Sequence, residues 1–199
     1  MLEGREPIDR PYFHLSFDDG FRNVYTNALP VLERHGVPAI AFVPSAVIGA
    51  DRSEVRRYCV EIARYRRPIE VMAWSDVRDF VARGGEIGSH TRTHVRLADI
   101  SLDPARLRDE IAGSKEEIED RLGRACDYIS WPFGRRADID AAALEAVRAA
   151  GYRACFGAFR GSIRRGRTDR FGVPRHHFEA HWPISHVTYF AGGGMEAAQ

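Results

Sequence analysis

The chain has 199 residues, with 44% apolar and 29% charged side chains and a formal net charge of +1. That length can bury a sizeable core in one domain, and the composition excludes a disordered tail and any global pull towards nucleic acid or an anionic membrane. The longest uncharged stretch, GVPAIAFVPSAVIGA, is too short to span a bilayer and is interrupted by Pro38 and Pro44.

The first segment, MLEGREPIDRP, has no apolar signal core, so a cytoplasmic protein is expected. YFHLSFD then reads as a strand, with Phe13, Leu15 and Phe17 on one face and His14, Ser16 and Asp18 on the other. A helix is predicted through VYTNALPVLERHG, with Gly36 as its stop. PAIAFVP is an all-apolar run, as a strand covered on both faces requires. Residues 53–66 read as a charged helix, and SDVRDFVARGG as a helix with Ser75 at its N-cap. EIGSH is the next strand. DPARLRDEIAGSKEEIEDRLG is the clearest helix, with Asp103 as cap, Pro104 in the first turn and Gly123 at the end. Strands follow at YISW, YRACF and FGVPRHHF, with the helix IDAAALEAVRAAG between the first two. Cys59, Cys126 and Cys155 are odd in number and widely spaced, which fits reduced core thiols better than disulfides or a zinc knuckle. Alternating strands and helices imply a parallel sheet covered by helices, closed as a barrel or open and doubly wound. Either way, functional groups belong at the carboxyl ends of the strands.

Three such ends carry chemistry. SFDDG sets Asp18 and Asp19 side by side after the first strand; alone, this is an ordinary turn. GSHTRTH places His90 and His94 four apart, and a helical turn after the strand would project both imidazoles to one side. Two neutral imidazoles with one carboxylate make a three-ligand metal set with an open position, the layout of a hydrolytic site. The other aspartate, beside the metal without binding it, can then take a proton from water. A cation would also neutralise the repulsion between the adjacent acids. In SWPFGRR, Pro132 and Gly134 shape a tight loop whose backbone N–H can donate to a developing oxyanion, although for this stretch alone a plain turn over a buried Trp131 is the preferred reading.

Together these motifs resemble the polysaccharide deacetylase family, carbohydrate esterase family 4, over about residues 11–178. The resemblance makes Asp18 the general base and Asp19, His90 and His94 the metal ligands. It makes the Phe133 N–H the oxyanion donor and assigns Trp131, Pro132 and Gly134 to substrate binding. Ser130 stands where the third motif often begins with a base-orienting arginine, and the family's acidic, tryptophan-containing fourth motif is not recognisable. If GVPRHHF is a strand, Val173, Arg175 and His177 share a face. Arg175 then resembles an inward-facing arginine that supports the base in some members, and His177 is the candidate general acid. The implied fold is a distorted, incomplete (β/α) barrel of about six or seven parallel strands, with residues 1–199 as a single catalytic domain.

The implied activity is metal-dependent removal of an N-acetyl group from a sugar, on a glycan or on a lipid-linked or nucleotide-sugar precursor. Zinc is the expected cation, with cobalt, nickel or iron also compatible. The same site on another C–N amide, a formamide or a cyclic amide, is the alternative chemistry, and a non-catalytic carbohydrate-binding relative the alternative class. The expected partner is a carbohydrate. RGSIRRGRTDR, between the last two predicted strands, would suit an anionic one.

Overall fold

Five short strands run parallel in a computed structural model that describes residues 12–164, 166–179 and 181–194. They are β1 (Leu15–Phe17), β2 (Ala39–Val43), β3 (Glu86–Ser89), β4 (Tyr128–Ser130) and β5 (Ala154–Phe156). Their spatial order is β1-β2-β3-β4-β5, each paired in parallel with the next. A doubly wound sheet reverses its order partway, so the sequential order makes this sheet an arc of a barrel. Strand β2, AIAFV, is buried at all five positions. Across from it on β3, a Cβ on Gly88 would lie 2.5 Å from two carbons of the Phe42 ring, so the largest side chain of β2 needs a glycine as neighbour.

Local signals set most helix ends. Helix α1 (Leu29–His35) follows a wide turn at Val24–Ala28 and stops at Gly36, whose φ is 62°. Helix α2 (Arg52–Arg57) is capped by Asp51, which accepts from the Ser53 and Glu54 N–H groups, and continues into a wide turn at Tyr58–Ile62. Helix α3 (Trp74–Ala82) starts before Ser75; its first turn is closed by Asp76, whose carboxylate accepts from the Ala73 N–H at 3.0 Å. Helix α4 (Pro104–Arg108) has Asp103 as its cap, and a wide turn at Asp109–Gly113 joins it to α5 (Ser114–Leu122), which ends at Gly123 with φ 65°. Asp140 caps α6 (Ala141–Ala149), and α7 (Ile184–Ala191) is the last helix described.

The main core joins the sheet to these helices through Met72, Val77, Phe80, Leu97, Ile111, Ile118 and Ile129. A smaller cluster of Phe21, Val47, Tyr58, Cys59 and Val71 lies beside the end of β1. Each such side chain contributes about 1.5–3 kcal/mol by leaving water. The three cysteines are buried and unpaired, as expected. Among the described residues no helix is long and apolar enough to cross a membrane.

Among the described residues the sheet has five strands, and a sixth or seventh is not formed. The predicted sixth, at 171–178, is reduced to one parallel bridge between Phe156 and Val173. At this bridge the Val173 N–H donates to the Cys155 carbonyl (3.0 Å) and the Gly157 N–H to the Val173 carbonyl (2.9 Å). The next donor, the Arg175 N–H, reaches the Phe159 carbonyl (3.1 Å) in place of that of Gly157, which takes the Arg175 side chain, so the register is lost after one bridge.

Candidate active site

The three motif loops converge at the carboxyl end of the sheet. Oδ1 of Asp19, two residues after β1, lies 3.1 Å from Nε2 of His94 and 3.5 Å from Nε2 of His90. One ligand atom from each residue lies within 4.8 Å of the others. The Nδ1 of His90 lies 2.7 Å from the Ser130 carbonyl, which can only accept, so Nδ1 carries a proton and Nε2 is the nitrogen turned to Asp19. His94 turns Nε2 to Asp19, while its Nδ1 is buried without a hydrogen-bond partner.

Burial alone would raise the Asp19 carboxyl, but the hydrogen bonds and charges of His90 and His94 hold it well below the usual carboxylate range. Burial lowers His94 below the ordinary imidazole value. At His90 burial works the same way, yet the charge of Asp18 and the hydrogen bond and charge of Asp19 raise it overall, so the acids favour positive charge there. Asp19 meets His90, His94 and the two tyrosines Tyr58 and Tyr65, none of them permanently charged. This donor set fits a divalent cation.

The histidine loop is not the helical turn expected from the spacing. Thr91 and His94 both take left-handed backbone, with φ 61° and 63°. The loop is held from outside: the buried Glu110 carboxylate accepts from the Arg92 N–H (3.0 Å), the Thr93 N–H (2.9 Å) and the Thr93 hydroxyl (2.5 Å). Ser114 donates to the Thr91 carbonyl at 3.0 Å, and Ser89 accepts from the Thr91 N–H at 3.1 Å. Asp19 (φ 76°), Phe133 (64°) and Arg64 (66°) complete the set of non-glycine residues with positive φ among those described. Such backbone costs about 1–3 kcal/mol per residue, persists where surroundings impose it and concentrates at functional sites.

Asp18 has a different partner. All five N–H donors of Arg175 are used: Nη1 and Nη2 each meet one Asp18 oxygen at 2.8 Å, and the others reach Ser16 Oγ (3.0 Å), Ser130 Oγ (2.7 Å) and the Gly157 carbonyl (2.7 Å). Arg175 thus ties β1 to the ends of β4 and β5 while gripping both Asp18 oxygens. Ser130, which replaces the motif arginine, helps to hold the arginine that reaches Asp18. Burial pushes the Asp18 carboxyl up, but the charge of Arg175, with His90 and the Arg175 hydrogen bonds, outweighs it and keeps Asp18 below the ordinary range.

In the third loop, the Phe133 ring lies between His94 (5.1 Å between ring centres) and the Arg96 guanidinium (4.5 Å), and Arg96 pairs with the buried Asp138. Gly134 has φ 71°, and a Cβ on it would fall 2.3 Å from Ala158 Cβ and 2.5 Å from its backbone nitrogen. Gly134→Ala is therefore expected to destabilise the protein by about 1–3 kcal/mol, the range for overpacking, read as a lowered melting temperature. An unchanged melting temperature would show that the loop can relax.

Trp131 is 2% exposed, donates to the Arg135 carbonyl at 2.9 Å and stacks on Phe159, so it shapes the loop from below and its ring is not presented to solvent. Pro132 and Gly134 are buried as well, and Phe133 is the exposed member of the loop. His177 does not turn inward with Arg175. Its ring is half exposed, bonds Glu179 at 2.9 Å and meets Trp182, because regular strand pairing does not extend past the single bridge at Val173. Of the arginines in RGSIRRGRTDR, Arg160 lies over Phe190 and Arg170 over Phe171, while Arg165 falls outside the described residues. Sequence reasoning missed Glu110 and the two tyrosines on Asp19. Tyr58 and Tyr65 sit seven apart, two turns of helix, in a segment read only for its charges.

The family model for polysaccharide deacetylase matches residues 5–155. The chain is similar to a Bacillus subtilis (strain 168) protein named "Putative polysaccharide deacetylase YxkH", 27% identical over 152 residues, which are 76% of this chain and 46% of that protein. The chain thus spans about half the length of that relative. Among solved structures it resembles IcaB from Ammonifex degensii, with TM-score 0.70 and 23% identity over 89% of this chain and 72% of that one. It also resembles the Streptococcus pyogenes deacetylase PplD in complex with acetate, with TM-score 0.75 and 17% identity over 96% of this chain and 74% of that one. At these identities the two likenesses speak for the fold. The match to the family model covers well over half of the sequence, and the chain belongs to the polysaccharide deacetylase family.

Proposed function

We propose that this chain is a single catalytic domain that removes an N-acetyl group from an N-acetylated sugar with the help of a divalent cation, zinc first. The observation that carries the reading is the division of labour between adjacent acids: Asp19 faces two imidazoles, while Asp18 is gripped by Arg175. Asp19, His90 and His94 would hold the cation, which when bound supplies Lewis acidity towards water and the acetamide carbonyl. Asp18, kept ionised at neutral pH by Arg175, takes the proton of the attacking water on a carboxylate oxygen. The Phe133 N–H donates to the carbonyl oxygen as negative charge develops on it. His177, bonded to Glu179, is the group proposed to return a proton to the leaving amine. A glycan precursor inside the cell is the favoured substrate class, and the reduced, buried thiols are consistent with a cytoplasmic setting.

The direct test is acetate release from a panel of neutral and phosphorylated N-acetylated sugars, with zinc-loaded and metal-stripped protein. Acetate is expected from at least one sugar, lost on stripping and restored by zinc. The likeness to a deacetylase crystallised with acetate supports that product. Activity that survives exhaustive metal removal would overturn the mechanism. Formate in place of acetate would assign the site to another amide, and glycan binding without turnover at any metal loading would mark a binding protein. If neutral oligomers are turned over fastest and salt has no effect, an anionic substrate is excluded.

A further inference from the structure

Asp19 is held at more points than its two histidines require. The Tyr65 hydroxyl donates to Asp19 Oδ2 at 2.6 Å, and the Tyr58 hydroxyl donates to the Asp19 backbone carbonyl at 3.1 Å. Both tyrosines come from the segment after α2, far from the three motifs. The chain there makes a sharp, strained turn: Arg64 takes φ 66°, and the Tyr65 N–H returns to the Cys59 carbonyl at 2.7 Å. The Tyr65 ring meets Phe21 edge-on at 5.0 Å, which fixes the ring plane beside the residue that follows Gly20. Strained backbone without a glycine is uncommon, and here it delivers one hydroxyl to one carboxylate oxygen.

A carboxylate ligand can bind a cation through one oxygen or both. In Asp19, Oδ1 faces both imidazoles, and Oδ2 is already occupied by a hydrogen bond. We propose that Tyr65 is a positioning residue for the metal centre: its hydroxyl holds Oδ2 so that Asp19 offers Oδ1 alone. This rests on the reading of Asp19, His90 and His94 as the ligand set. One-oxygen ligation keeps coordination positions open for water and substrate. Partners that orient a ligand in this way are worth about 10–100-fold in metal affinity. Tyr58 acts on the backbone and sets where Asp19 sits; Tyr65 sets which oxygen it presents.

The test is Tyr65→Phe, which keeps the ring against Phe21 and removes only the hydroxyl, beside Tyr58→Phe as the neighbouring control. Metal-free proteins are titrated with zinc against a chromophoric chelator, and their melting temperatures are measured without metal. The zinc Kd of Tyr65→Phe is expected to rise about 10–100-fold in a protein that still folds without metal, its melting temperature lowered modestly by the lost hydrogen bond. The cobalt-loaded variant should also shift its visible spectrum towards a higher coordination number as Oδ2 becomes available. A Kd within about twofold of wild type, well short of the usual effect of an orienting partner, overturns the proposal. So does a weakened Kd with the cobalt spectrum of the wild type, since the hydroxyl would then steady the loop without choosing the oxygen. Wild-type protein that takes up no zinc overturns both this proposal and the ligand assignment, and is told apart from failure of the proposal alone by the wild-type titration.

Discussion

Alanine at Asp19, His90 or His94 is expected to leave protein that binds no zinc and releases no acetate, the two losses arriving together. The three donors sit on two loops, and a three-ligand set has no spare member. The three substitutions differ in what else they disturb. Removing the His90 ring also strips the Ser130 carbonyl of its hydrogen bond, and removing the Asp19 carboxylate leaves the Tyr65 hydroxyl unpaired. Asp19 further sits at φ 76°, a region that asparagine tolerates better than alanine, so Asp19→Asn is the cleaner variant at that position. Elemental analysis of the purified variants, alongside acetate release and thermal melting, reads the outcome. Stoichiometric zinc in a folded His90→Ala protein would remove His90 from the set.

The parts of the fold legible in the sequence are those whose causes are local. Asp103 and Gly123 bound the helical stretch 104–122 because a cap and a left-handed stop act on neighbouring residues. The run AIAFV reads as a covered strand because every position is apolar. Asp18, Asp19, His90 and His94 are legible as chemistry because three motifs stand at three strand ends, and the structure brings their side chains together. What was not legible depends on distant partners. The spacing of His90 and His94 suggests a helical turn, but the loop takes its shape from Glu110 and Ser114, which no local pattern announces. Arg175 meets Asp18 across 157 positions of sequence. His177 was placed by strand alternation, a rule that stopped applying after Val173, where the Arg175 N–H slips to Phe159 and the regular ladder ends.

Asp18→Asn is expected to keep its zinc and lose about two to four orders of magnitude in kcat, the usual worth of a general base. The geometry separates the two acids in advance. Asp18 Oδ2 is 4.0 Å from His90 Nε2, and both its oxygens are taken by Arg175, whereas Asp19 Oδ1 faces both imidazoles with no guanidinium in contact. An amide in place of the carboxylate keeps the shape and one acceptor, so the ties from Arg175 to Ser16, Ser130 and Gly157 should hold the loop in place. What it loses is the ability to take a proton. The fall should therefore appear in kcat with little change in KM, since no binding contact to the sugar is assigned to Asp18. Arg175→Lys gives the complementary result: it keeps a positive charge but not the fork, so kcat should fall less than in Asp18→Asn. Zinc content measured on the same Asp18→Asn preparation decides the assignment. Loss of the metal with the activity would make Asp18 a ligand and move the role of base to another group.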